Sequence, residues 1–152
     1  MSLLVIGGGE SFAPSAMRKS GAAWAGLDES WRLIPTWIAD PDYPGSEVSV
    51  SGDGLVVQEG KIGATLAASV AFTGHSSLGA DVTLRLRVND STVAVTGVAK
   101  TCPEKVTTTV TVSGTYTVAT GDVITLQALG DWAFNNQNPS IAAGAAAFVR
   151  VT

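Results

Sequence analysis

The stretch Asp81-Val82-Thr83-Leu84-Arg85-Leu86-Arg87-Val88-Asn89 decides the fold class. Val82, Leu84, Leu86 and Val88 fall on one face, with Thr83, Arg85 and Arg87 on the other. That is the two-residue period of a half-buried β-strand. Working outward, Leu66, Ala68, Val70 and Phe72 alternate in the same way one strand earlier. Val106, Thr108, Val110 and Val112 continue the pattern, followed after Gly114 by Tyr116 and Val118. The runs 123–128 and 146–151 supply two more strands, and 47–51, 55–58 and 92–96 are shorter candidates.

Turn chemistry separates these runs. Asn89-Asp90 suits a tight hairpin, and Ala119-Thr120-Gly121-Asp122 offers a second connection in which Gly121 is free to take positive φ. The result is about eight short strands with no long crossover helix, so an antiparallel β-sandwich is expected and an α/β fold is not.

The chain changes character near Pro44-Gly45. Before it, Met17, Trp24, Trp31 and Trp37 are interspersed with Pro14, Pro35, Pro41 and Pro44. Short helical turns are expected at 15–20 and 28–31, where Ser15 or Asp28 would cap them. Asp40-Pro41-Asp42-Tyr43-Pro44-Gly45 reads as a turn whose aspartates accept backbone N–H bonds. The expected organisation is an N-terminal extended arm over 1–44 and a sandwich over 45–152. Ordering such an arm costs more backbone entropy than three buried indoles return. Trp24, Trp31 and Trp37 are therefore candidates for packing against another chain; the alternative is that they cap one end of their own sandwich. Arg85 and Arg87, two residues apart on one sheet face, suit an interchain or intersheet salt bridge, or a solvated face.

Composition favours assembly. The chain is 45% hydrophobic but only 14% charged, against roughly 25% charged in an ordinary soluble domain. An exterior of Ser, Thr, Ala and Gly can be covered by a neighbour without burying ions, which costs several kcal/mol when they are unpaired. A monomer with a Thr-rich exterior has the same composition. With 9 Lys+Arg against 13 Asp+Glu, direct binding to nucleic acid is disfavoured. No apolar run approaches the roughly 18 residues of a membrane span. The start lacks the basic region and long apolar core of a signal peptide, so synthesis in the cytosol is expected.

The search for chemistry is largely negative. Gly7-Gly8-Gly9 lacks the Gly-Lys-Ser/Thr of a phosphate loop and reads as a hinge. His75 is the sole histidine and Cys102 the sole cysteine, so neither a disulfide within the chain nor a cysteine zinc site can form. No acid, base and nucleophile combine into a recognisable set, so no catalytic residue, metal ligand or cofactor is expected. The polar stretch 131–139 carries Trp132, Phe134, Asn135 and Asn136. It suits either a sugar, through stacking and amide hydrogen bonds, or packing at a sandwich end or subunit contact.

Three segments carry a resemblance: Trp37-Ile38-Ala39-Asp40-Pro41-Asp42-Tyr43-Pro44-Gly45-Ser46 leading into Leu55-Val56-Val57; Leu84-Arg85-Leu86-Arg87-Val88-Asn89; and Thr117-Val118-Ala119-Thr120-Gly121-Asp122-Val123-Ile124-Thr125-Leu126-Gln127-Ala128 with the closing Phe148-Val149-Arg150-Val151-Thr152. Together, over 37–152, they resemble small β-sandwich proteins of tailed phages infecting actinobacteria, described as minor tail or capsid-associated proteins. The Gly-Asp before a strand and the Phe-containing last strand are also similar to the trimeric C1q/TNF-type jelly roll. The resemblance implies a homotrimeric jelly roll attached by an arm to other phage virion proteins, with Val118, Ile124, Leu126 and Phe148 in or near the core or trimer seam.

The functional expectation is a non-catalytic virion protein, made in the host cytoplasm. It would be a tail-tip component or a capsid decoration protein, with no direct nucleic-acid or membrane partner. The other class is a carbohydrate- or receptor-binding module that takes a host surface glycan on the 131–139 loop.

Overall fold

The structure is a computed structural model and describes residues 12–152. The Gly7-Gly8-Gly9 hinge lies outside the described residues. Twelve strands follow in order: β1 Ser15–Lys19, β2 Arg32–Leu33, β3 Trp37–Ala39, β4 Glu47–Val48, β5 Gly54–Val56, β6 Lys61–Thr73, β7 Ala80–Val88, β8 Thr92–Thr96, β9 Lys100–Cys102, β10 Thr107–Val118, β11 Val123–Leu129 and β12 Ala147–Val151. One 3₁₀ turn, Asn135–Gln137, interrupts the last connection.

Every pairing among these strands is antiparallel. One sheet runs β10-β6-β12-β1-β3 and the other β4-β5-β11-β7-β8, with β2 also on β11 and β9 also on β7. The two sheets bury the alternating residues between them. Leu66, Val70 and Phe72 of β6 meet Leu84 and Leu86 of β7 and Ile124 and Leu126 of β11 in one fully buried core. The all-β antiparallel sandwich expected from the two-residue period is the observed fold.

One local reading holds in detail. Asn89 and Asp90 both take positive φ, 53° and 55°, and turn β7 into β8. Asn89 is also tied across the sheet, since its Nδ2 donates to Asp122 Oδ1 and its Oδ1 accepts the Val123 N–H, both at 2.9 Å. Gly114 lies within the alternating run of its strand. It sits inside β10 opposite Leu66, where a Cβ would come 2.8 Å from Val95 Cγ1. Its missing side chain makes room for β8 of the facing sheet.

The segment expected as an arm is corrected from residue 12 onward. Ser15–Lys19, read as a helical turn, is an internal strand whose backbone bonds are shared between β12 and β3. The strand was hidden because Met17 is its only large apolar residue, flanked at two-residue spacing by Ser15 and Lys19. Both polar neighbours are nonetheless buried. Lys19 sinks its stem inward and donates from Nζ to Pro35 O and Thr36 Oγ1. Residues 28–31 form a bend: Asp28 Oδ1 accepts the Ser30 N–H at 2.8 Å, but no helix follows.

The three tryptophans pack on their own chain. Trp24 exchanges two backbone bonds with Ile141 at 2.9 and 2.8 Å. Trp37 is 3% exposed, and its Nε1 donates to Ile34 O. Trp31 lies over the Arg85 guanidinium at 4.2 Å.

Candidate functional site: the outward face of the five-stranded sheet

With Leu66, Ala68, Val70 and Phe72 turned into the core, β6 presents Thr65, Ala67, Ser69 and Ala71 outward. The β10 residues directly opposite them are Thr115, Ser113, Thr111 and Thr109. On the other side of β6, Phe148 of β12 faces Ser69, and Arg150 faces Ala67. Arg18 and Ala16 of β1 continue these two rows, and Ile38 of β3, 41% exposed, ends the first. The strand positions of this face therefore carry two arginines and no carboxylate.

One cluster breaks the flat Ser/Thr/Ala field. The Arg150 guanidinium lies 3.7 Å from the Phe148 ring centre and 5.4 Å from that of Tyr43. Both rings lie within cation–π range of it. Its Nε is buried and has no hydrogen-bond partner among the described residues. Beside the cluster is an open hollow of about 420 Å³ lined by Arg18, Ile38, Asp40, Phe148 and Arg150. A sheet face of small Ser, Thr and Ala side chains around an aromatic–arginine knob has the chemistry of a protein contact, with arginine and aromatic residues set in a weakly charged field. No motif in the sequence marks this face. Its signal lies in the Thr-rich alternation of 107–117 and in the Phe148–Arg150 spacing.

The expected arginine pair lies on the opposite sheet. Arg85 and Arg87 project outward from β7, and Arg85 Nε donates to Gln127 Oε1 at 2.7 Å. Burial, and then the charge of Arg87, lower the Arg85 pKa below the ordinary guanidinium value. Neither arginine makes a salt bridge among the described residues. The nearby Arg32 does, with Asp28 at 2.6 Å.

The 131–139 loop is an exposed structure organised from within. Asn138, 3% exposed, accepts the N–H groups of Asp131 and Trp132 at its Oδ1 and donates from Nδ2 to the carbonyls of Trp132 and Phe134. Trp132 is 37% and Phe134 66% exposed, and Asn135 and Asn136 are also outside. Trp132 Nε1 reaches Gly79 O at 3.3 Å. Asn138, the residue that holds the loop, was missed because its role depends on a chain reversal that spacing does not reveal.

The remaining polar candidates have local partners. His75 Nδ1 accepts the Ser77 N–H at 3.2 Å. Cys102 is buried, and burial raises its thiol pKa, which disfavours the nucleophilic thiolate. Asp40 Oδ1 accepts the Asp42 N–H at 3.0 Å, as the turn reading requires.

No protein-family profile matches the chain, and no curated protein matches it in sequence. Solved structures are similar to it in three dimensions. The Eiger TNF structure from S. frugiperda is similar over 93% of this chain and 92% of its own, with TM-score 0.58 and 10% identity. Bushbaby GITRL is similar over 91% of this chain and 92% of its own, with TM-score 0.43 and 16% identity. At 10% identity the Eiger likeness is one of fold, and this chain is an all-β, TNF-like jelly roll.

Proposed function

We propose that the chain is a non-catalytic structural module that assembles with copies of itself through the outward face of the five-stranded sheet. The observation that carries this reading is the field of Ser, Thr and Ala around Arg150 and Phe148, with no carboxylate on its strands. Covering that field buries two arginines and many small Ser, Thr and Ala side chains per copy. The number of copies, three, rests on the resemblance to trimeric C1q/TNF-type jelly rolls. The phage resemblance gives the setting: a virion, with a tail-tip position ahead of capsid decoration, and other virion proteins as neighbours.

Immunogold labelling of particles from a phage carrying this sequence tests the setting. Label confined to the tail tip is expected. Label spread over the capsid favours decoration, and unlabelled particles contradict a virion role.

The exposed Trp132 and Phe134 on a loop held by Asn138 favour one second reading, a module that binds a host glycan or receptor at the sandwich end. Glycan binding that disappears in Trp132→Ala would support it.

A further inference from the structure

A separate surface, on the seven-stranded sheet, sets two arginines side by side. Arg85 and Arg87 are successive outward residues of β7, so their Cα atoms lie about 7 Å apart along the strand. Arg85 is held from two sides: Trp31 stacks on its guanidinium, and Gln127, its neighbour on β11, accepts from its Nε. Arg87 sits opposite Thr125, and its Nε is buried with no hydrogen-bond partner among the described residues. Neither arginine pairs with a carboxylate among the described residues. Asp28 is taken by Arg32, and Asp90 Oδ1 accepts from Thr125 Oγ1 at 3.3 Å without forming a salt bridge to Arg87. The surface therefore sets two guanidiniums side by side, one of them fixed in orientation, with neither charge neutralised among the described residues.

We infer that this surface binds an extended acidic segment of a different protein, with carboxylates at alternate positions. The spacing selects such a segment, because a peptide in strand conformation repeats its side chains at the same interval as β7. Each carboxylate can then take one guanidinium, and Arg geometry favours a planar acceptor. A second copy of this chain does not supply the segment. Its one acidic pair at that spacing is Asp40 and Asp42, and Asp40 is buried and holds the Asp42 N–H. The inference is independent of the self-assembly face, which lies on the other sheet.

The test uses the full chain and three probes: a short peptide containing Asp-Thr-Asp, the same peptide with Asn-Thr-Asn, and acetate. Binding is followed by NMR at the Arg85 and Arg87 Nε–H signals. The Asp peptide is expected to saturate both signals, to bind more tightly than acetate and to weaken with added salt. The Asn peptide is expected to move neither. Arg87→Gln should weaken the Asp peptide by roughly tenfold or more, with the melting temperature and oligomer mass unchanged. Arg87→Lys, which keeps the charge without the planar fork, should recover binding only in part. Equal effects of acetate and the Asp peptide would reduce the surface to a generic anion contact and overturn the inference. So would shifts confined to other residues, or full binding in Arg87→Gln.

Discussion

Arg150 stacks its guanidinium 3.7 Å from the ring centre of Phe148, two residues earlier on the same strand, and so carries its charge flat against the outward face of the five-stranded sheet. A lysine at that position would keep the charge but not the plane. In the assembly proposed above, Arg150→Ala raises the dissociation constant of self-association, and Arg150→Lys raises it less. Sedimentation equilibrium over a dilution series checks both. An Arg150→Ala dissociation constant equal to the parent's would remove this residue from the interface.

Gly114 and Val95 form a matched pair across the sandwich, because a Cβ at 114 would meet Val95 Cγ1 at 2.8 Å. Gly114→Ala should therefore destabilise by about 1–3 kcal/mol through overpacking. Adding Val95→Ala should recover part of that loss, a coupling that independent sites would not show. Urea denaturation of the two single variants and the double variant measures it.

Lys19 is buried beneath the backbone of Pro35 and Thr36, and burial lowers its pKa, with Asp53 opposing in part. Between the lowered folded value and the unfolded value of 10.5, the unfolded chain holds more protons. Stability from this group therefore rises with pH across that window and is lost as pH falls through the folded pKa. The stability of the parent relative to Lys19→Met should increase between neutral pH and about pH 10. Paired denaturation curves at the two pH values give the difference, and a flat difference would contradict the burial.

Asn138 satisfies four backbone groups of the 131–139 loop with one side chain. Asn138→Ala should cost about 1–3 kcal/mol and release the loop. The expected readout is faster amide exchange at Asp131 and Trp132, with exchange in β7 unchanged. Protection that survives the substitution would mean that the loop is held by other contacts.

The sequence made the sandwich legible where one side of a strand is apolar and the other polar. Leu84 with Leu86, Leu66 with Phe72 and Ile124 with Leu126 announce their strands by period, and Asn89-Asp90 and Gly121 announce the turns. The strand of residues 15–19 stayed hidden because its inward side mixes Ser15, Met17 and Lys19. Burial there is made tolerable by hydrogen bonds that come from distant residues. The candidate face was harder still. Thr and Ala on an outward side read as ordinary solvent exposure, and the pairing of Phe148 with Arg150 and Tyr43 exists only once β12 is docked. Arg85 and Arg87 were placed correctly on one face, but their lack of an acidic partner appears only in three dimensions.

The proposed assembly requires further copies of the chain to cover the Ser/Thr/Ala-rich face of the five-stranded sheet. Light scattering on the full chain, beside Ser69→Glu at the centre of that face, tests it most directly. Three times the 15.5 kDa chain mass is expected for the parent and the mass of one chain for Ser69→Glu, with matching β-sheet circular dichroism. A parent that stays at one chain mass, or a Ser69→Glu variant that keeps the assembled mass, would contradict it.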